Sequence, residues 1–98
     1  MALILSSGGA QYDEVNNITL TYSGSGYPTT MTATLSKSYR AVALTMINAR
    51  TVNSGSGSPQ QTTFTCSVSG NTLSVTCGDT GVGFNPANTH TVSIIGIL

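Results

Sequence analysis

The chain has 98 residues and a formal net charge of zero, which allows one domain with an adequate but not generous core. Only 6% of its residues are charged, against about 25% in ordinary soluble domains. With Lys37, Arg40 and Arg50 as the only cations, the basic footprint that nucleic-acid binding requires is missing. Solubility rests on Ser, Thr, Asn and Gly, and so little charge protects poorly against association; the composition predicts packing against further copies or a partner.

Residues 1–5, MALIL, are an apolar run read as a buried or partner-facing strand. The run has no basic flank and is too short for a signal core or a membrane span. It therefore predicts synthesis in the cytoplasm without membrane insertion. Residues 10–17 are polar and hold Asp13 and Glu14. Adjacent residues of an extended segment point opposite ways, so these two are not a catalytic pair, and the stretch reads as a solvated loop or subunit contact. This assigns 1–17 as an N-terminal attachment segment and 18–98 as the folded domain.

Ile18, Leu20 and Tyr22 alternate with threonines, the mark of a half-buried strand. The loop 23–28 (SGSGYP) leads to a second strand carrying Met31, Ala33 and Leu35, and 36–38 form a short turn. Residues 39–49 place Val42, Leu44 and Met46 on one face and Ala41, Ala43 and Ile47 on the other. Apolar residues on both faces predict a strand central to a sheet or covered by a neighbour. Residues 53–59 (NSGSGSP) are a second Gly-rich loop, and 23–36 and 54–69 echo one another as two loop–strand units.

The stretch 64–77, FTCSVSGNTLSVTC, is the clearest element. Gly70-Asn71 is a two-residue hairpin signal. Pairing across it sets Val68 against Leu73, Cys66 against Val75 and Phe64 against Cys77. Every apolar residue then shares one face, and Thr65, Ser67, Ser74 and Thr76 share the other. Cys66 and Cys77 become diagonal neighbours at roughly 7–8 Å, at or beyond the reach of a disulfide, so both are expected to be reduced and buried. A register slip of two residues would place them directly opposite. A third loop, 78–88, precedes a last strand at 89–98.

These elements predict an all-β fold, a single antiparallel β-sandwich of about six to eight strands. If consecutive strands alternate in direction, the loops 23–28, 50–60 and 78–88 gather at one end as a display surface. The tight turns and the C-terminus then gather at the other end. Aromatic side chains among Asn and Asp in those loops make Tyr27, Asn53, Asp79, Phe84 and Asn85 the candidate binding surface. Tyr22 and Phe84 read first as core plugs beneath it.

No catalytic, cofactor-binding or metal-ligating set is readable. His90 is the only histidine; both cysteines point into the core, which leaves it without metal partners. A Ser–His–Asp set drawn from Asp79 and His90 lacks a nucleophile elbow. The Gly-Ser repeats lack the Lys and helix of a phosphate loop. Asn17-Ile18-Thr19 matches a glycosylation sequon by chance. The reading is non-enzymatic, without cofactors.

The Ser/Thr-alternating strands, SYRAVALTMINAR at 38–50, SGNTLSV at 69–75 and HTVSIIGIL at 90–98 together resemble small β-sandwich surface proteins of tailed bacteriophage virions, at fibre tips (tail or head fibre) and as capsid decorations. The resemblance covers most of 18–98 and is one of style, so no functional residue is carried over. It implies a virion structural surface protein made in the host cytoplasm, a homo-oligomer, commonly a trimer. Its implied partners are other capsid or tail proteins and a host-surface glycan met through the Gly-rich loops. The alternatives are a decoration protein that reinforces the head lattice and a free carbohydrate-binding module.

Overall fold

A computed structural model describes residues 11–98; the run 1–5, with its expectation of a buried or partner-facing strand, lies outside the described residues. The chain is all-β, with strands β1 (Tyr12–Thr19), β2 (Thr30–Thr34), β3 (Ala41–Asn48), β4 (Thr51–Asn53), β5 (Phe64–Ser69), β6 (Thr72–Cys77), β7 (Val82–Phe84) and β8 (Thr91–Ile97). They form a β-sandwich of two three-stranded antiparallel sheets, ordered β1-β8-β3 and β2-β6-β5, with β4 and β7 paired as a small third sheet. The core between the main sheets contains Leu20, Met31, Ala33, Leu35, Leu73, Val75, Phe84, Val92 and Ile94.

The hairpin register is the one its alternation predicts: Phe64↔Cys77, Cys66↔Val75 and Val68↔Leu73 are paired, and Gly70 turns the chain at φ 60°. Cys66 and Cys77 are free thiols. Cys77 is buried as expected. Cys66 is only half-buried, because β5 is an edge strand, and its thiol lies 3.8 Å from the Val42 carbonyl of β3.

Three expectations need correction. Residues 12–17 are not a solvated loop. They are most of β1, which pairs from Tyr12↔Ile97 to Thr19↔Thr91, so the boundary at 17/18 falls inside a strand. A bulge between Val15 and Ile18 hides its periodicity, with Asn17 in the left-handed region at φ 57° and its N–H on the Ser93 hydroxyl at 3.2 Å. Of the two places expected for 39–49, the central one goes to the C-terminal strand: β3 is hydrogen-bonded only to β8. Finally, Met46 does not face the core with Val42 and Leu44. A second bulge between Leu44 and Met46 turns Ile47 inward against the core and leaves Met46 48% exposed. Both bulges lie beside Ser93 of β8, since each inserts extra chain between the partners of Ile94 and Val92.

The outward faces of the two sheets differ in kind. On β2-β6-β5 the paired rows are Thr30–Thr76–Thr65, Thr32–Ser74–Ser67 and Thr34–Thr72–Ser69, a three-by-three grid of hydroxyl side chains. On β1-β8-β3 the rows are Tyr12–Ile97–Ala41 and Glu14–Ile95–Ala43, followed by Ser93 beside Met46.

Candidate functional site

The antiparallel pairings send β1, β3 and β6 in one direction, so the connections that follow them meet at one end of the sandwich. Backbone hydrogen bonds tie all three together: Phe84 N–H to Pro28 O at 2.7 Å, Ser54 N–H to Gly81 O at 2.8 Å, and Asn85 N–H to Arg50 O at 2.9 Å. Two of the connections are more ordered than their glycines suggest, since β4 and β7 lie within 50–60 and 78–88 and pair as Thr51↔Phe84, Val52↔Gly83 and Asn53↔Val82.

His90 is the buried keystone of this end. It has no exposed surface, and its ring lies 5.2 Å from that of Phe84. Its Nδ1 accepts the Arg50 backbone N–H at 3.2 Å, while Nε2 lies 2.8 Å from the Asn85 carbonyl. An acceptor at Nδ1 places the proton on Nε2, which donates to Asn85. One neutral imidazole thus joins the second loop to the third. Its two nitrogens are both occupied by backbone, so it is not presented for catalysis or metal binding. Among the described residues no three of His, Cys, Asp and Glu come together.

The five residues predicted from sequence are brought to this end but not onto one surface. Phe84 is fully buried and stacks on Phe64 at 5.8 Å between centroids; it is a core plug and leaves the candidate surface. Asn53 is spent on its own loop, its Oδ1 accepting Gly55 N–H at 2.9 Å and Ser56 N–H at 3.0 Å, while its Nδ2 donates to Gln60 Oε1. Asn85 Oδ1 accepts Ala87 N–H at 3.0 Å, closing a turn of the same kind. Asp79 is exposed and exchanges two hydrogen bonds with Thr62, accepting from its hydroxyl at 2.9 Å and donating a backbone N–H to the same oxygen at 3.0 Å. Burial, and secondarily the charge of Asp79, push the Cys77 thiol above its ordinary range, so that thiol is held protonated. Tyr27 is the exposed aromatic of the five, 38% exposed, with its hydroxyl against the backbone of Gly57. Its ring bridges the first loop to the second.

Beside Tyr27's loops lies an open groove of about 360 Å³ lined by Ala49, Arg50, Thr51, Pro59, Gln60 and Gln61. Sequence reasoning missed Arg50, Gln60 and Gln61. They lie ten residues apart in sequence, and the fold-back of 58–60 on β4, through the Val52↔Pro59 bridge and the Gln60 N–H to Thr51 O bond at 3.0 Å, brings them together. The groove offers one guanidinium and two carboxamides, suited to hydrogen-bonding a neutral or weakly anionic polar ligand. No family model, curated protein sequence or solved structure matches this chain.

Proposed function

We propose that the chain is a non-enzymatic structural surface protein of a virion, a phage fibre or decoration component that self-associates and displays its loop end outward. The observation that supports this reading is where the polar side chains of that end are used. His90, Asn53, Asn85 and Asp79 are all engaged in holding the three loops to each other or closing their turns. The loops are therefore pre-shaped, and pre-shaping lowers the ordering cost of contact with another surface. A reactive site would leave a titratable group free to move a proton; a display site needs rigid loops with a few outward groups, here Tyr27 and the rim of Arg50, Gln60 and Gln61. An exposed planar tyrosine suits the face of a sugar ring, which makes a host-surface glycan the candidate ligand. Repetition in an oligomer would raise weak single contacts to useful avidity.

The test is to locate and count the chain in purified particles, then to compare parent and Tyr27→Ala in retention on host-surface glycans. Presence on the particle at low copy, with retention lost in Tyr27→Ala, supports a fibre tip. High copy over the head with unchanged retention moves the reading to lattice reinforcement. Absence from particles removes it.

A further inference from the structure

We propose that the outward face of the β1-β8-β3 sheet is the surface through which this chain binds a second copy of itself. The inference rests on the self-association in the preceding reading and names the surface that carries it. Val15, Ile18, Val42, Leu44 and Ile47 of the same sheet pack against the core, whereas Tyr12, Ala41, Ala43, Met46, Ile95 and Ile97 do not. Strand register puts those six side by side: Tyr12, Ile97 and Ala41 in one row, Ile95 and Ala43 in the next, and Met46 beyond them. Ala41, Ala43 and Met46 are exposed, and no other described element covers the row.

The comparison that gives this strip meaning is inside the molecule. The outward face of β2-β6-β5 is hydroxyl at every one of its paired positions, so the same chain builds a wet face where it needs one. The contrast between the two outward faces marks the apolar strip on the opposite sheet as the contact surface. Its charge identifies that partner. The strip carries one carboxylate, Glu14, and no cation; Lys37 lies outside it and is paired with Asp13 at 3.1 Å. A charged partner finds almost nothing to pair with, whereas a second copy brings an equally apolar strip with Glu14 as its one charge, which is the self-complementarity of an isologous contact.

Size is consistent with the centre of such an interface. Three strands about 4.8 Å apart and five residues of about 3.3 Å rise make a footprint on the order of 200 Å². A stable interface takes about 800 Å² from each partner, so the strip is the dry centre. The uncharged rim of Thr19, Asn48 and Thr91 further along the same face extends it without like-charge repulsion.

The experiment is light scattering on the full chain across a dilution series, with Ala43→Arg and Met46→Lys on the strip and Ser67→Arg on the hydroxyl face. All three positions are exposed, so the variants should fold and melt cooperatively. The expected result is an oligomer for the parent and for Ser67→Arg, and the 10.0 kDa monomer for both strip variants. Folded strip variants that keep the parent's mass would overturn the assignment of this face while leaving self-association intact. A parent that is monomeric at every concentration would overturn both. A monomeric parent whose residues 1–10 become protease-sensitive in Ala43→Arg would also overturn it, giving the strip to the chain's own N-terminal segment.

Discussion

Gly96→Ala tests the packing of the central strand with a single methyl group. Gly96 is on the inward face of β8, and a Cβ there would come within 2.6, 2.7 and 2.8 Å of three ring atoms of Tyr39. Ordinary contact requires the ring to retreat by about 0.8 Å. It is not free to do so: Tyr39 is 7% exposed, its hydroxyl donates to Asp13 Oδ2 at 2.8 Å, and its N–H donates to Gly70 O at 3.2 Å. Overpacking of this kind costs about 1–3 kcal/mol, or roughly 4–24 °C in melting temperature for a domain of this size. The sign discriminates, since without the ring a strand Gly→Ala change would stabilise by about 0.5–1 kcal/mol. Thermal melts followed by circular dichroism provide the measurement. In a Tyr39→Leu background the penalty of Gly96→Ala should largely vanish, because the two changes share one contact. A Gly96→Ala protein that melts at or above the parent temperature would refute the packing described for β8.

Leu73 is fully buried and Leu44 only partly so, so in denaturant titrations Leu73→Ala should cost about 2–5 kcal/mol and Leu44→Ala clearly less. His90→Phe keeps a ring against Phe84 but strands the Arg50 N–H and the Asn85 carbonyl; a loss of about 1–3 kcal/mol per unpaired group is expected, with faster amide exchange at residues 50 and 85. The hydrogen bond from Tyr39, and next the one from Lys37, hold the Asp13 carboxyl below its ordinary value. A carboxyl depressed by folding stabilises at pH values above its unfolded pKa, and that stability is lost as acid protonates it in the folded state. Unfolding curves should therefore weaken below about pH 4, and Asp13→Asn should flatten that acid limb. With a soluble alkylating agent, the half-buried Cys66 should label before the buried Cys77.

The hairpin 64–77 was legible residue by residue because its alternation, turn and flanking hydroxyls agree, and local agreement of that kind leaves one register. The all-β class and the gathering of three loops at one end were legible for the same reason, since antiparallel strands joined by short connections determine where the connections fall. What alternation could not supply is anything that depends on a bulge or a distant partner. A bulge adds one residue and reverses the faces beyond it, which hid β1 within the polar stretch 10–17 and sent Met46 outward and Ile47 inward. Strand order is non-local: nothing within 39–49 records that β8 takes the central place, because that is settled by which strands pair along both edges of β8.

The candidate surface divides along the same line. Residue type pointed to Tyr27, Asn53, Asp79, Phe84 and Asn85, but type does not say which of them the fold consumes. Phe84 goes to the core, the two asparagines close their own turns, and Asp79 locks to Thr62. The groove of Arg50, Gln60 and Gln61 exists only because β4 folds back on 58–60. The sequence by itself determined what is written in neighbours two residues apart: strand identity, hairpin register and charge-poor surface chemistry. Tertiary structure alone decided which apolar face is buried and which stays open, because burial is a property of what packs opposite a residue and not of the residue.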